Sequence, residues 1–129
     1  MLGLKQVHHI AIIATDYAKS KAFYCDILGF TLLSEVYREA RDSWKGDLAL
    51  NGQYVIELFS FPFPPARPSR PEACGYATWR SASMILTRRL PTSPRTAWRV
   101  KRSASTPAPI NASPFFNDPD GLPLELYQQ

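Results

Sequence analysis

The sequence predicts an α+β fold built on a duplicated β-α-β-β-β unit, and three observations carry that prediction. The first half reads strand, helix, strand, strand, strand in order; Asn51-Gly52 stands between two apolar runs as a hairpin turn; and Ile56-Glu57-Leu58 is echoed near the end by Leu124-Glu125-Leu126. A short Asx-Gly turn precedes each Glu-bearing strand, which is the mark of an internal repeat.

Val7 to Ala14 is rich in β-branched residues and reads as a buried strand. Its alternation puts His9, Ala11 and Ile13 on one face and His8, Ile10 and Ile12 on the other. Thr15 and Asp16 offer an N-cap for a helix from Tyr17 to Leu28, and Gly29 falls where a C-terminal glycine belongs. Phe30 to Arg38 returns to strand. Asp47 to Leu50 and Tyr54 to Phe61 flank Asn51-Gly52, a pair that readily takes the positive φ angles of a type I′ turn.

Pro62, Pro64, Pro65, Pro68 and Pro71 remove ladder donors from the stretch that follows, so it reads as a linker. Phe115-Phe116 leads into the turn Asn117 to Gly121, and Leu122 to Tyr127 alternates as a last strand. The expected organisation is one domain over 4–129, with module one at 4–61, the linker at 62–75 and module two at 76–129.

Composition excludes several classes. No run approaches the ~18 apolar residues of a membrane span, and the opening residues lack the pattern of a secretory signal. A cytoplasmic protein with no membrane partner is expected. Cys25 and Cys74 have neither CxxC spacing nor the density of a disulfide scaffold and receive no role. The net charge of +4 suggests nucleic acid at first sight, but it comes from one segment. Residues 76–114 hold seven Lys and Arg and no acid, leaving 8 basic and 11 acidic residues elsewhere, a net of −3. No nucleic-acid partner is expected.

That segment breaks the pattern of the chain. It has no Gly and no Phe, five prolines, and no period that lasts more than a few residues. A shifted reading frame accounts for it. If each codon is rebuilt from the third base of one triplet and the first two of the next, Trp79-Arg80 gives Ala and Met84-Ile85 gives Asp. Synonymous choices elsewhere permit LRHLAFSVDDIDAAVAHL, a strand and a capped amphipathic helix that mirror His8 to Asp16, with a permitted histidine at Thr78. Residues 76–114 therefore look frame-shifted. The chain as it stands, with its second core pattern scrambled, is expected to fold poorly, because net stability is only about 5 to 15 kcal/mol.

His9 seven residues before Asp16, Ala22-Phe23-Tyr24 before Leu28-Gly29-Phe30, Tyr54 to Leu58 ending in Glu57, and FFNDPDGLPLELY ending in Glu125 together resemble the glyoxalase I and bleomycin-resistance proteins of the vicinal oxygen chelate superfamily. The resemblance covers residues 4–75 and 115–129. It implies two βαβββ modules curled around a cleft, with His9 and Glu57 from one facing a histidine and Glu125 from the other. It also implies one divalent metal ion, and imidazole with carboxylate suits Ni, Zn, Co, Mn or Fe. His9, Glu57 and Glu125 would be the metal ligands; Glu125 would be the catalytic base, with Glu57 as a possible second acid or base. The implied activity is a glyoxalase-like lyase or isomerase acting on a small molecule with vicinal oxygens, in a homodimer. Metal-free antibiotic binding and an inactive frame-shifted copy are the alternatives. Thr78 stands where the third ligand of the family belongs.

Overall fold

The computed structural model describes residues 2–68, 71, 74–83 and 115–128. It divides into two compact units, residues 1–66 and 67–129.

The first unit is a four-stranded sheet with one helix. β1 (Ile10–Ala14) leads into α1 (Tyr17–Ala22), which runs on as a π-helical turn over Phe23–Ile27; β2 (Thr31–Arg38), β3 (Ser43–Leu50) and β4 (Gln53–Ser60) follow. Asp16 caps α1, its side chain accepting from the Lys19 amide at 3.0 Å. Gly29 takes φ +80, the left-handed turn that ends the helical segment. Asn51 and Gly52 take φ 52 and 79, as a type I′ hairpin requires.

The strand order is β1-β4-β3-β2, with β1 parallel to β4 and the other pairs antiparallel. Ile56 and Leu58 of β4 and Leu48 of β3 are fully buried, as is Tyr24 from the helical segment. Tyr17 of α1 stacks on Trp44 at 5.7 Å, and a Cβ on Gly46 of β3 would fall on the Tyr17 hydroxyl. The absence of a side chain at Gly46 thus leaves room for the end of the Tyr17 ring. The opposite sheet face carries Ala11 and Ile13 from β1, Glu57 and Phe59 from β4, Lys45 and Asp47 from β3, and Ser34 and Val36 from β2, which are register partners of one another.

The second unit contributes β5 (Trp79–Ser83), β6 (Phe115–Asn117) and β7 (Pro123–Gln128) in the order β5-β7-β6. β5 is parallel and β6 antiparallel to β7, the same relation that β1 and β3 bear to β4. Asp118 holds the turn into β7 by accepting from the Asp120 and Leu122 amides at 3.0 and 2.8 Å.

Three local expectations differ from the structure. β1 begins at Ile10, so His8 and His9 precede the strand and do not follow its alternation. β3 begins at Ser43, four residues earlier than expected, because a single 3-10 turn over Glu39–Arg41, ended by Asp42 at φ 45, carries the chain from β2 into β3. Trp79–Ser83 forms a strand although it lies in the segment without a lasting period; the rest of that segment, 84–114, lies outside the described residues.

Candidate functional site

The site in the first unit grows from the β1–β4 register. Ala11 pairs with Glu57, and His9, which lies just ahead of β1, brings its Nε2 to 3.4 Å from Glu57 Oε2. His9 stacks on Tyr54 at 5.0 Å between ring centres, and its Nδ1 meets His8 Nδ1 at 2.8 Å. The two histidines are therefore neighbours, against the expectation that they point apart.

Around Glu57 lies a polar network that the sequence did not announce. Lys45 Nζ reaches Glu57 Oε1 at 3.1 Å and Asp47 Oδ1 at 2.7 Å. Asp47 also accepts from the Tyr54 hydroxyl at 2.9 Å and the Ser34 hydroxyl at 2.5 Å. Partial burial raises the Asp47 pKa, but the bonds from Lys45, Ser34 and Tyr54 outweigh it and hold the carboxyl below its ordinary value. Asp47 raises the Lys45 pKa through their hydrogen bond, against the opposing effect of burial. Burial and then the bond to Asp47 keep the Tyr54 phenol protonated well above its ordinary range.

The second unit repeats the frame with different side chains. In β5–β7 the partner of Glu125 is Arg80, where β1–β4 pairs Glu57 with Ala11. Two residues before Arg80 stands Thr78, as His9 stands two before Ala11. Arg80 forks Glu125, with Nε to Oε2 at 2.7 Å and Nη2 to Oε1 at 2.6 Å. The Glu125 side chain is 7% exposed.

The two halves answer a metal differently. Two ligands held about 2.0–2.2 Å from one ion lie roughly 3 to 3.4 Å apart. The 3.4 Å between His9 and Glu57 is longer than a normal N–H···O bond and suits such a pair. When His9 donates through Nδ1 to His8, its Nε2 lone pair faces the Glu57 carboxylate, an arrangement that a cation between them makes favourable. Glu125 does not offer the same, since both of its oxygens already accept from a guanidinium. Among the described residues no three His, Cys, Asp or Glu converge on one point.

Residues 6–126 match the family model of the Glyoxalase/Bleomycin resistance protein/Dioxygenase superfamily. The chain is 67% identical over 129 residues to the uncharacterized protein YaeR of Escherichia coli (strain K12), covering all of both chains. It is 49% identical over 126 residues to the uncharacterized protein YwkD of Bacillus subtilis (strain 168), covering 98% of each. The crystal structure of a glyoxalase family protein from Enterococcus faecalis superposes with a TM-score of 0.73 at 35% identity, covering 95% of this chain and 97% of that one. The duplicated sheet, the paired strand registers and these matches agree: the chain belongs to the glyoxalase/bleomycin resistance/dioxygenase superfamily.

Proposed function

We propose that this chain derives from a metal-dependent lyase or isomerase acting on a small molecule with two neighbouring oxygens, and that its first unit retains the working half of the site. The observation that supports this is the convergence of His9 Nε2 and Glu57 Oε2 at 3.4 Å on the open face of the first sheet. His9 and Glu57 would hold the ion, one of Ni, Zn, Co, Mn or Fe. When bound, it supplies Lewis-acid stabilisation of negative charge that develops on the substrate oxygens.

The chain's own groups do the rest. His8 fixes the His9 ring through Nδ1, and Tyr54 holds the ring plane by stacking. Lys45 holds Glu57 Oε1 in place from 3.1 Å. Glu125 is the proton-transfer residue of the parent activity, and Arg80 now occupies both of its oxygens. A small-molecule substrate and a homodimer belong to the same reading.

Metal-free binding of a small molecule is the second reading, and the Arg80–Glu125 fork favours it. Solved proteins of this fold behave in both ways. A fosfomycin resistance protein from Listeria monocytogenes carries Mn(II), and TnmS3 from a Streptomyces species is an antibiotic binding protein. Their identities of 16% and 21% convey the fold alone.

Equilibrium dialysis against Ni(II), Zn(II) and Mn(II) separates the readings. The first expects about one ion retained per chain, lost in His9→Ala and in Glu57→Gln. No retained ion with any of the three metals overturns it and leaves the second.

A further inference from the structure

We infer that Arg38 is a docking site for an oxyanion, so that the molecule this face takes carries a carboxylate, phosphate or phosphonate apart from its reacting end. The reading deepens the proposed function and rests on it only for the identity of that reacting end.

Arg38 ends β2 and pairs with Ser43 of β3. Its guanidinium lies 4.7 Å over the Phe59 ring and 5.7 Å from the Phe61 ring, and the two rings stack at 5.8 Å. Phe59 is two residues along β4 from Glu57 and points to the same face, a separation of roughly 7 Å. The cation therefore lies on the sheet face that carries Glu57, toward the end of β4 away from Tyr54 and His9.

The surroundings leave it unneutralised. Nη2 donates to Ser43 Oγ at 2.7 Å, and Nε is buried with no hydrogen-bond partner. Lys45, the neighbouring cation, is engaged by Asp47 and Glu57, whereas no carboxylate among the described residues lies within ion-pair distance of Arg38. A guanidinium has five donors, and a partly buried charge with one of them bonded is costly unless an anion completes it. Two aromatic faces hold the plane without using its donors. An oxyanion meeting the remaining Nη hydrogens supplies the missing charge in the forked geometry that arginine favours.

The test uses chelator-treated protein, so that it does not depend on any metal. The backbone amide signals of Ser43, Phe59 and Phe61, which touch Arg38 and remain in its variants, are followed by nitrogen-resolved magnetic resonance while inorganic phosphate or acetate is added at constant ionic strength with chloride as the balance. A saturable shift that Arg38→Met abolishes and Arg38→Lys weakens about tenfold supports the site. Tighter phosphate then points to a phosphate or phosphonate group, and tighter acetate to a carboxylate. No saturable shift with either anion overturns the proposal, as does Arg38→Met or Arg38→Lys binding as the parent does. Anion binding without metal retention in the dialysis experiment sinks the metal reading and keeps this one.

Discussion

Arg80 and Glu125 are joined by two parallel hydrogen bonds of 2.7 and 2.6 Å across the β5–β7 register, at the place where the first sheet sets Ala11 beside Glu57. One substitution thus turns a carboxylate that could face an ion into one that faces a guanidinium. The bond pair is charge-assisted and bidentate, the strong form of such contacts. Removing Arg80 alone leaves a buried carboxylate without its donors. Arg80→Ala is expected to lower stability by about 1 to 3 kcal/mol, read from the urea midpoint.

Joining Thr78→His to Arg80→Ala gives the second sheet the residues that the first has at 9 and 11. The double variant is expected to retain more Zn(II) or Ni(II) than the parent, because the second sheet then offers the imidazole and carboxylate pair that the first has. Calorimetric titration measures it. Unchanged affinity would show that the register equivalence has no bearing on the metal.

Gly46 admits the Tyr17 hydroxyl, and a methyl group there would fall on that oxygen unless the Tyr17 ring shifts from its place against Trp44. Gly46→Ala is expected to cost about 1 to 3 kcal/mol. Adding Tyr17→Phe removes the oxygen that is struck and recovers part of the loss, which thermal melts of the single and double variants compare.

The network around Asp47 gives stability a defined acid limb. Its folded pKa lies below the ordinary 3.8, so its contribution is complete above that value and is lost as pH falls through the folded pKa. The Lys45 pKa is raised above 10.5, so its contribution is complete below that value and is lost as pH rises through the folded pKa. Asp47→Asn should lower the urea midpoint at neutral pH, by about 1 to 3 kcal/mol, and flatten its decline below pH 4. An unchanged acid limb would assign that decline to other carboxyls.

The register also bears on the reading frame of 76–114. A frame restored across that segment permits histidine at 78 and gives alanine at 80, the residues found at 9 and 11. Sequencing the coding DNA from codon 74 to codon 116 is expected to reveal one base missing near Gly75 and one gained near Pro114. An intact frame there disposes of the idea.

Local chemistry made much of the first unit legible. Asp16, Gly29 and Asn51-Gly52 each act through their own backbone or a neighbour a few residues away, and all three do what their residue types predict. Glu57 and Glu125 could be singled out because the repeat placed them alike. Their partners were not legible. Lys45 meets Glu57 only because β3 carries an irregularity between Leu48 and Ala49, and Arg80 meets Glu125 across 45 residues of chain. The position of Arg38 over Phe59 and Phe61 depends on two strand pairings at once. Alternation misplaced His8 for a simpler reason: it was extended over residues that come before the first ladder bond.

The most direct test of the His9–Glu57 centre follows the ring nitrogens of the protein's two histidines as Zn(II) is added. The account predicts that His9 Nε2 shifts to the position of a metal-bound imidazole nitrogen at about one equivalent, while His8 Nε2 keeps its place, and that Glu57→Gln abolishes the change. Neither ring responding, or His8 responding in place of His9, would contradict it.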